Sequence, residues 1–563
     1  MTRNRTIPVV TVAALAAVFS SALGSWDPNG TPICTESGAQ YETVITTDGA
    51  GGAILAWTDA RGSNGDIYAQ RIDGWGNPQW TPGGAWVGGT SYSEYQPIIV
   101  SDGAGGAIIV WLSHGTRAQR VDPDGNLLWD STGVVVDTVT SLSASVVASS
   151  DAALQVAYEF RAVTDGAGGA IIFYERYFTG EWWAQRLDGS GNLLWPGGTP
   201  VRTLGSAAFN PAIAADGAGG AIMAWEDARI DIQSDIFAQR VDAAGTPLWT
   251  PNGVAVATAA NYQENVVLTS DGAGGAILSW RDLRVNSQTY AQRIDASGTP
   301  VWTTNGELIM DGPGGGAGGI VADGVGGAVI VCNRYYPEAN LFAQRVNTDG
   351  DTLWSGAAPI CVATGGQFAP AAVPDGEGGL FIAWEDWRTG GRDIFAQRMD
   401  TTGAVWWNPD GESVCTAIGW QLTPAMVSIG GGKVILAWDD RRTGSDTSNY
   451  DVYAQRMTGI VTGVTGRPPR SSALAILPNT PNPFNSATDL VVNLPAASSV
   501  HVEIYDVLGR RVRVLKHAAT SAGLQHIAFD GRDAARKPLA SGVYFYRVIA
   551  AGSVATSKMI VQR

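Results

Sequence analysis

The chain has 563 residues, of which 45% are hydrophobic, enough for a large core and two or more domains and too many for a disordered chain. Only 16% of residues are charged, against 72 Gly and 21 Trp, a balance that favours short strands and tight turns and excludes a helical bundle. The net charge is −16, and the 36 basic residues include only four lysines (Lys433, Lys516, Lys537 and Lys558), which argues against a nucleic-acid partner.

Arg3 and Arg5 precede an apolar run from Ile7 to Phe19 and the small residues Ser20 to Gly24, the pattern of a secretory signal peptide over residues 1–24. The run is shorter than the ~20 residues a spanning helix needs, and no comparable stretch follows. The expectation is an exported protein without a transmembrane anchor.

From residue 25 to 459 one pattern of about 54 residues recurs. Its anchor is the triplet Ala-Gln-Arg, ending at Arg71, Arg120, Arg186, Arg240, Arg293, Arg345, Arg398 and Arg456. Upstream lies an Asp-Gly turn feeding an apolar run, as in DGAGGAILAW at Asp48 to Trp57; in the last repeat it degenerates to Gly430–Gly432. Downstream come a Gly, a Trp and usually a second Gly, as in GTPLWTPNGVAV at Gly245 to Val256. Four strands per repeat at this period predict the blades of a β-propeller. The last repeat stops at Met457 without a fourth strand, while Trp26 to Cys34 (WDPNGTPIC) matches that missing strand. The fold predicted is therefore all-β: an eight-bladed propeller of four-stranded blades closed by the N-terminal strand, which leaves no exposed sheet edge between first and last blade.

A residue repeated in every blade reads as scaffold. The eight triplet arginines need buried partners, and the acids of the Trp-x-Asp-x-Arg segments (Asp59, Asp227, Asp282, Asp386 and Asp440) are the expected ones. Asp122 and Asp124 form a lone Asp-x-Asp-Gly, read as a turn rather than a metal site, and neither a metal nor a cofactor is expected. Cys34, Cys361 and Cys415 occupy one position of the outer strand in three blades, too far apart to bridge, and Cys332 lies two strands inward; four free, mostly buried thiols are expected.

Of the two propeller faces, the one bearing the second-to-third and blade-crossing loops varies in length and chemistry, with an insertion near Asp137 to Gln155, and there a ligand is expected. Departures from the repeat on that face supply the candidate contacts: His114 in blade 2, Tyr177, Phe178 and Trp182 in blade 3, and Arg334, Tyr335 and Tyr336 in blade 6. Trp182 and Trp183 equally fit the core positions taken by Ile67 and Tyr68 in blade 1. Aromatic rings with Arg and Glu suit a sugar ring or a peptide. The alternative, a secreted polysaccharide-acting enzyme, has only Glu175 and Glu181 as a candidate carboxylate pair. A cluster of carboxylates at the axial mouth would favour the enzyme, an aromatic floor without it would favour binding, and neither would indicate a purely structural surface protein.

Residues 460–475 read as a linker, and residues 476–563 form a separate module without Trp, near +5 against about −21 for the rest. Alternating runs at Leu490, Val500, Ala528, Gly542 and Ser557 predict a small Ig-like β-sandwich. The segments LPNTPNPFNSATDLVVNLP, EIYDVLGRRVRVL, FDGRD, LASGVYFYRV and KMIVQR, about 85 residues in all, resemble the C-terminal sorting domain (type A) of type IX secretion substrates, itself similar to the FlgD-like Ig domain of the flagellar hook-capping protein. By that resemblance Pro481, Asn482, Pro483, Phe484 and Asn485 form the opening segment, Gly509 a hairpin turn, and Lys558 with the final strand the end recognised by the secretion machinery. Ser486 and Ala487 stand where the family often has Pro and Thr. The resemblance implies export across an outer membrane, then surface attachment or release. The sequence thus describes a monomeric extracellular or outer-membrane-surface adhesion module with a glycan or protein ligand.

Overall fold

The computed structural model describes residues 26–458 apart from 63, 138–159, 177–179, 231, 313–315, 336–337 and 443–448, and residues 475–563 apart from 477–478, 480–483, 495–497, 508, 519–522 and 551–552. The chain divides into two compact units, Met1–Val461 and Thr462–Arg563. Residues 1–24, expected as a signal peptide, residues 460–474 of the expected linker and most of the blade 2–3 insertion lie outside the described residues. Every described element is a strand, and among the described residues no helix is long and apolar enough to cross a membrane.

The first unit is an eight-bladed β-propeller. Each blade is one four-stranded antiparallel sheet in chain order, as in blade 1 with Gln40–Thr47, Ala53–Asp59, Asp66–Ile72 and Ala85–Gly88. The first strands touch one another in ring order from blade 1 to blade 8 and back to blade 1, so they line the axis. Blade 8 is completed by Thr31–Cys34, which pairs with Asp451–Thr458 in the register Thr31↔Ala454 and Cys34↔Val452. The ring thus closes on a strand supplied from the other end of the chain.

The second strands are buried on both faces, because each is covered by the blades beside it; Ala53–Asp59 has no exposed residue. Each apolar cluster spans two adjacent blades, and the one holding Ile33, Trp57, Ile435 and Val452 welds blade 8 to blade 1. Trp and Gly of the repeat are one device: the buried Trp225 ring lies where a Cβ on Gly253 (φ 88°) would come within 2.6 Å. In blade 6, where Cys332 replaces the Trp, the residue before the fourth strand is Ala357 instead of Gly.

The triplet arginines correct one expectation. Their partners are the aspartates of the Asp-Gly turns, with Arg–Asp distances of 2.8–3.0 Å in blades 1 to 7. Register explains it: Arg71 lies opposite Ile54, at the turn end of the hairpin, whereas Asp59 lies opposite Asp66 at the far end. Asp48 caps its own turn through Oδ1, accepting the Ala50 and Gly52 N–H groups at 2.8 Å, and holds Arg71 with Oδ2. Arg71 also reaches the Pro123 carbonyl of blade 2, which the indole N–H of Trp80 shares. The same shared carbonyl recurs in blades 2, 3, 5 and 6, and at the seam Arg456 and Trp26, from opposite ends of the chain, both donate to the Gly74 carbonyl. The aspartates first expected to hold the triplet arginines instead bind within their own segment: Asp59 accepts from the Trp57 indole at 2.8 Å and from the Arg61 guanidinium at 2.6 Å, and that guanidinium lies 4.0 Å over Tyr68.

All four cysteines are free and buried. Burial pushes the Cys34 thiol up to about 11 and those of Cys332, Cys361 and Cys415 to about 12, so they are protonated packing groups.

The second unit is an Ig-like sandwich. One sheet orders Ala475–Ile476, Thr488–Leu494 and Gly523–Phe529; the other orders Arg511–Ala518, Ser499–Tyr505, Gly542–Ala550 and Ser553–Val561. Phe484, Leu490, Val502, Phe529, Tyr546 and Met559 fill its core.

Candidate functional site

At the axial mouth of the loop face the first strands carry a strained backbone. In six blades a bulge opens on a non-glycine residue with φ between 47° and 60°: Glu42, Gln96, Asn210, Asn265, Ala369 and Thr423. The bulge frees N–H groups, and carboxylates from the preceding blade take them up. Asp439 of blade 8 accepts the Glu42 and Thr43 N–H groups of blade 1 at 2.9 and 3.2 Å, and the Thr43 hydroxyl at 2.6 Å. Glu42 accepts Gln96 N–H, Glu226 accepts Asn265 N–H and Glu385 accepts Thr423 N–H, at 2.6, 2.6 and 2.9 Å. Burial pushes the Asp439 carboxyl up to about 6. These acids stand where a catalytic cluster would, but each is committed to a backbone latch between blades.

Glu175 and Glu181 do not form a converging pair. The register sets Glu175 opposite Trp182 and Glu181 opposite Arg176, which puts the two carboxylates on opposite faces of their hairpin. Glu175 accepts the Gly180 N–H and Glu181 the Trp183 indole N–H, both at 3.2 Å. Trp182 is fully buried with its ring 5.0 Å from Phe173, so it fills the core position of Ile67 and offers no surface to a ligand. Half-buried Trp183 is covered by the Arg176 guanidinium at 4.0 Å.

His114 is the tip of the blade 2 hairpin, its ring 3.8 Å from exposed Tyr92. Arg334 donates to the Asp311 carbonyl at 2.9 Å and lies 4.7 Å over Phe342, an engaged position. Tyr335 is exposed. Tyr177, Phe178 and Tyr336 lie outside the described residues, as do Pro481, Asn482 and Pro483.

Tyr335 borders a cavity of about 410 Å³ between blades 6 and 7, lined also by Glu338, Ala339, Gly365, Gly366 and Phe368. From its edge runs a strip that the repeat pattern had not singled out. Phe368 packs against Trp387 at 5.0 Å. Arg392 lies over Trp387 at 4.7 Å and over Trp420 at 5.0 Å; Arg441 lies over Trp420 at 5.3 Å and over Tyr450 at 4.0 Å. Rings and guanidiniums thus alternate, and Trp387 and Trp420 remain 39% and 45% exposed. The available signal was that Trp387 and Trp420 are tryptophans off the repeat, in loops of blade 7 and of the 7–8 crossing.

In the second unit, the Phe484 N–H donates to the Ile560 carbonyl at 3.0 Å and the Gln562 N–H to the Phe484 carbonyl at 2.8 Å, tying the opening segment to the final strand. Lys558 is exposed on that strand, Asn485 is exposed, and Gly509 takes φ 76° in the turn capped by Asp506.

A FlgD Ig-like domain spans residues 482–553. No curated protein sequence matches the chain. Similar solved structures include a mutant puromycin hydrolase (14% identity, TM-score 0.40, covering 70% of this chain and 58% of that one). A puromycin-hydrolyzing peptidase of Mycobacterium tuberculosis is 12% identical, with TM-score 0.39 over 83% of this chain and 62% of that one. PorZ of Porphyromonas gingivalis, described as an essential bacterial surface component of the type-IX secretion system, is 11% identical, with TM-score 0.27 over 91% of this chain and 74% of that one. The chain spans about three-fifths of the length of the two hydrolases. The propeller is defined by its own strand pairing.

Proposed function

We propose that the protein is an exported binding module, at the cell surface or outside the cell, whose propeller grips a glycan or protein ligand on the loop face of blades 6 to 8. The observation that carries this reading is the strip from Phe368 to Tyr450 beside the Tyr335 cavity. Half-exposed aromatic side chains next to a concave pocket supply contact area at low entropic cost. The axial acids named above are each engaged in a latch, and Glu175 and Glu181 diverge, which leaves the enzyme alternative without the carboxylate pair the sequence offered it.

Export is supported by the signal-peptide pattern of residues 1–24 and by the resemblance of the C-terminal module to type IX sorting domains. The tie between Phe484 and the last strand, with Lys558 exposed on it, supports that strand as the surface read by the secretion machinery.

The test is a glycan and polysaccharide array with the mature chain, followed by reducing-sugar release on every hit. Binding without release, lost in Trp420→Ala, is the expected result. Sugar release would replace this reading with the enzyme, and silence with every glycan would remove the glycan ligand.

A further inference from the structure

The propeller carries more negative charge than the chain's net −16, because residues 476–563 are near +5, and such a charge by itself repels anions. Against that background the strip on blades 7 and 8 gathers two guanidiniums. Among the described residues Arg441 has no carboxylate within ion-pair distance, and Arg392 has only Glu385 at 3.5 Å, itself already latched to Thr423. The two cations flank one ring, at 5.0 and 5.3 Å from the Trp420 centroid, and burial together with the Arg392 charge holds the Arg441 guanidinium below its usual value. Five other ring-covering guanidiniums on the propeller are neutralised: Arg61, Arg229, Arg284, Arg388 and Arg442 each hold an aspartate at 2.5–2.6 Å, while Arg334 and Arg456 donate to backbone carbonyls. Two adjacent cations without such partners are costly to the fold, and an incoming anion would relieve the cost.

We propose that this strip binds an acidic polysaccharide, with Arg392 and Arg441 donating to its carboxylate or sulfate groups. The inference rests on the binding reading above and narrows its ligand class. The rings hold both guanidiniums in place, and an arriving carboxylate or sulfate takes up their terminal N–H groups, displacing the long 3.5 Å contact of Arg392 to Glu385. The Tyr335 and Phe368 rings at the cavity suit the apolar face of a sugar, and the absent side chain of Gly366 is what lets the Phe368 ring lie there. Glu338, whose carboxylate accepts the Gly365 N–H at 3.1 Å, stands at the cavity wall as an acceptor for hydroxyls. A nucleic acid is disfavoured by the net charge of −16, which a single two-cation strip does not offset.

The test uses the mature chain and paired polymers: polygalacturonate against its fully methyl-esterified form for carboxylate, and dextran sulfate against dextran for sulfate. The expected result is binding to an acidic polymer of at least one pair, weakened about tenfold or more in its neutral counterpart and by raised salt. Arg441→Gln and Arg392→Gln should each lower that affinity about tenfold while leaving the melting temperature within about 2 °C. A direct check on class is poly-glutamate. Equal affinity for it would overturn the polysaccharide assignment. Equal binding to acidic and neutral partners would overturn the anion inference while leaving the glycan-binding reading intact, and no binding to any of these polymers would overturn the acidic-polysaccharide assignment while the array decides the wider binding reading.

Discussion

The two faces of the propeller use the same side chains to different ends. On the turn face each of seven arginines meets an aspartate of its own hairpin at 2.8–3.0 Å, and the geometry hardly changes from blade to blade. On the loop face of blades 7 and 8, Arg392 and Arg441 meet rings, in loops of unequal length. Repetition marks the groups that hold the ring together, and departure from repetition marks the groups on which the proposed ligand site rests. Blade 8 lies on both sides of this contrast: its degenerate turn leaves Arg456 without the turn aspartate, and its second-to-third loop supplies Arg441 and Tyr450 to the strip.

The most severe way to break the scaffold is at its seam. Removing residues 26–37 strips the fourth strand from blade 8, exposes the edge of Asp451–Thr458 and uncovers the cluster around Ile33 and Trp57. The loss should reach on the order of 5 kcal/mol, from several buried apolar side chains and a strand ladder. Calorimetry of the truncated chain should show a much lower melting temperature, partly restored by the missing segment added as a peptide. An unchanged melting temperature would mean that the N-terminal strand does not close the ring.

A smaller break distinguishes the paired from the unpaired turn arginines. In Asp216→Ala, Arg240, with a side chain only 14% exposed, loses its carboxylate, and the Ala218 and Gly220 N–H groups lose their cap. About 3 kcal/mol is expected, since a largely buried charge is left uncompensated. Arg456→Gln removes a guanidinium that has no turn aspartate, and about 1 kcal/mol or less is expected in chemical denaturation. Equal losses would show that the aspartate acts only as a turn cap.

How much of this was legible in the sequence follows the same division. The eight blades and the seam were readable because Trp26 to Cys34 keeps the phase of the repeat although it sits at the opposite end of the chain. The acids that pair with the triplet arginines were not, because Asp48 and Asp59 stand at opposite ends of one strand and only the register decides which meets Arg71. Trp182 carried sequence signals for both core and surface, the core somewhat favoured, and its burial against Phe173 decides for core. The strip was missed for a different physical reason. Phe368, Trp387, Arg392, Trp420, Arg441 and Tyr450 come from two blades and their crossing loop, at positions that unequal loop lengths prevent from being aligned. Their proximity is a property of the ring and of no single repeat.

The axial latches offer the subtlest test, because one of them titrates in an accessible range. Asp439 has a folded value of about 6 against an ordinary 3.8, raised by burial. The folded protein therefore binds this proton more tightly than the unfolded chain does. The stabilising contribution of the proton is fully present below the unfolded value and is lost as pH rises through about 6. Other acids on the chain titrate nearby, so the informative quantity is a difference: wild type against Asp439→Asn, whose amide carries no such charge. Between pH 4.5 and 7 the wild type should lose on the order of 2 kcal/mol relative to the variant, measured by denaturant unfolding. The variant starts from a handicap, because its amide presents N–H to one of the donors of Glu42 and Thr43 where a carboxylate oxygen stood. Wild type should therefore lead clearly at pH 4.5 and lead by less at pH 7. A gap that widens with pH would mean that the Glu42, Thr43 and Thr423 donors outweigh burial at the latch, and that blade 8 is joined to blade 1 by a charged acceptor rather than by a protonated one.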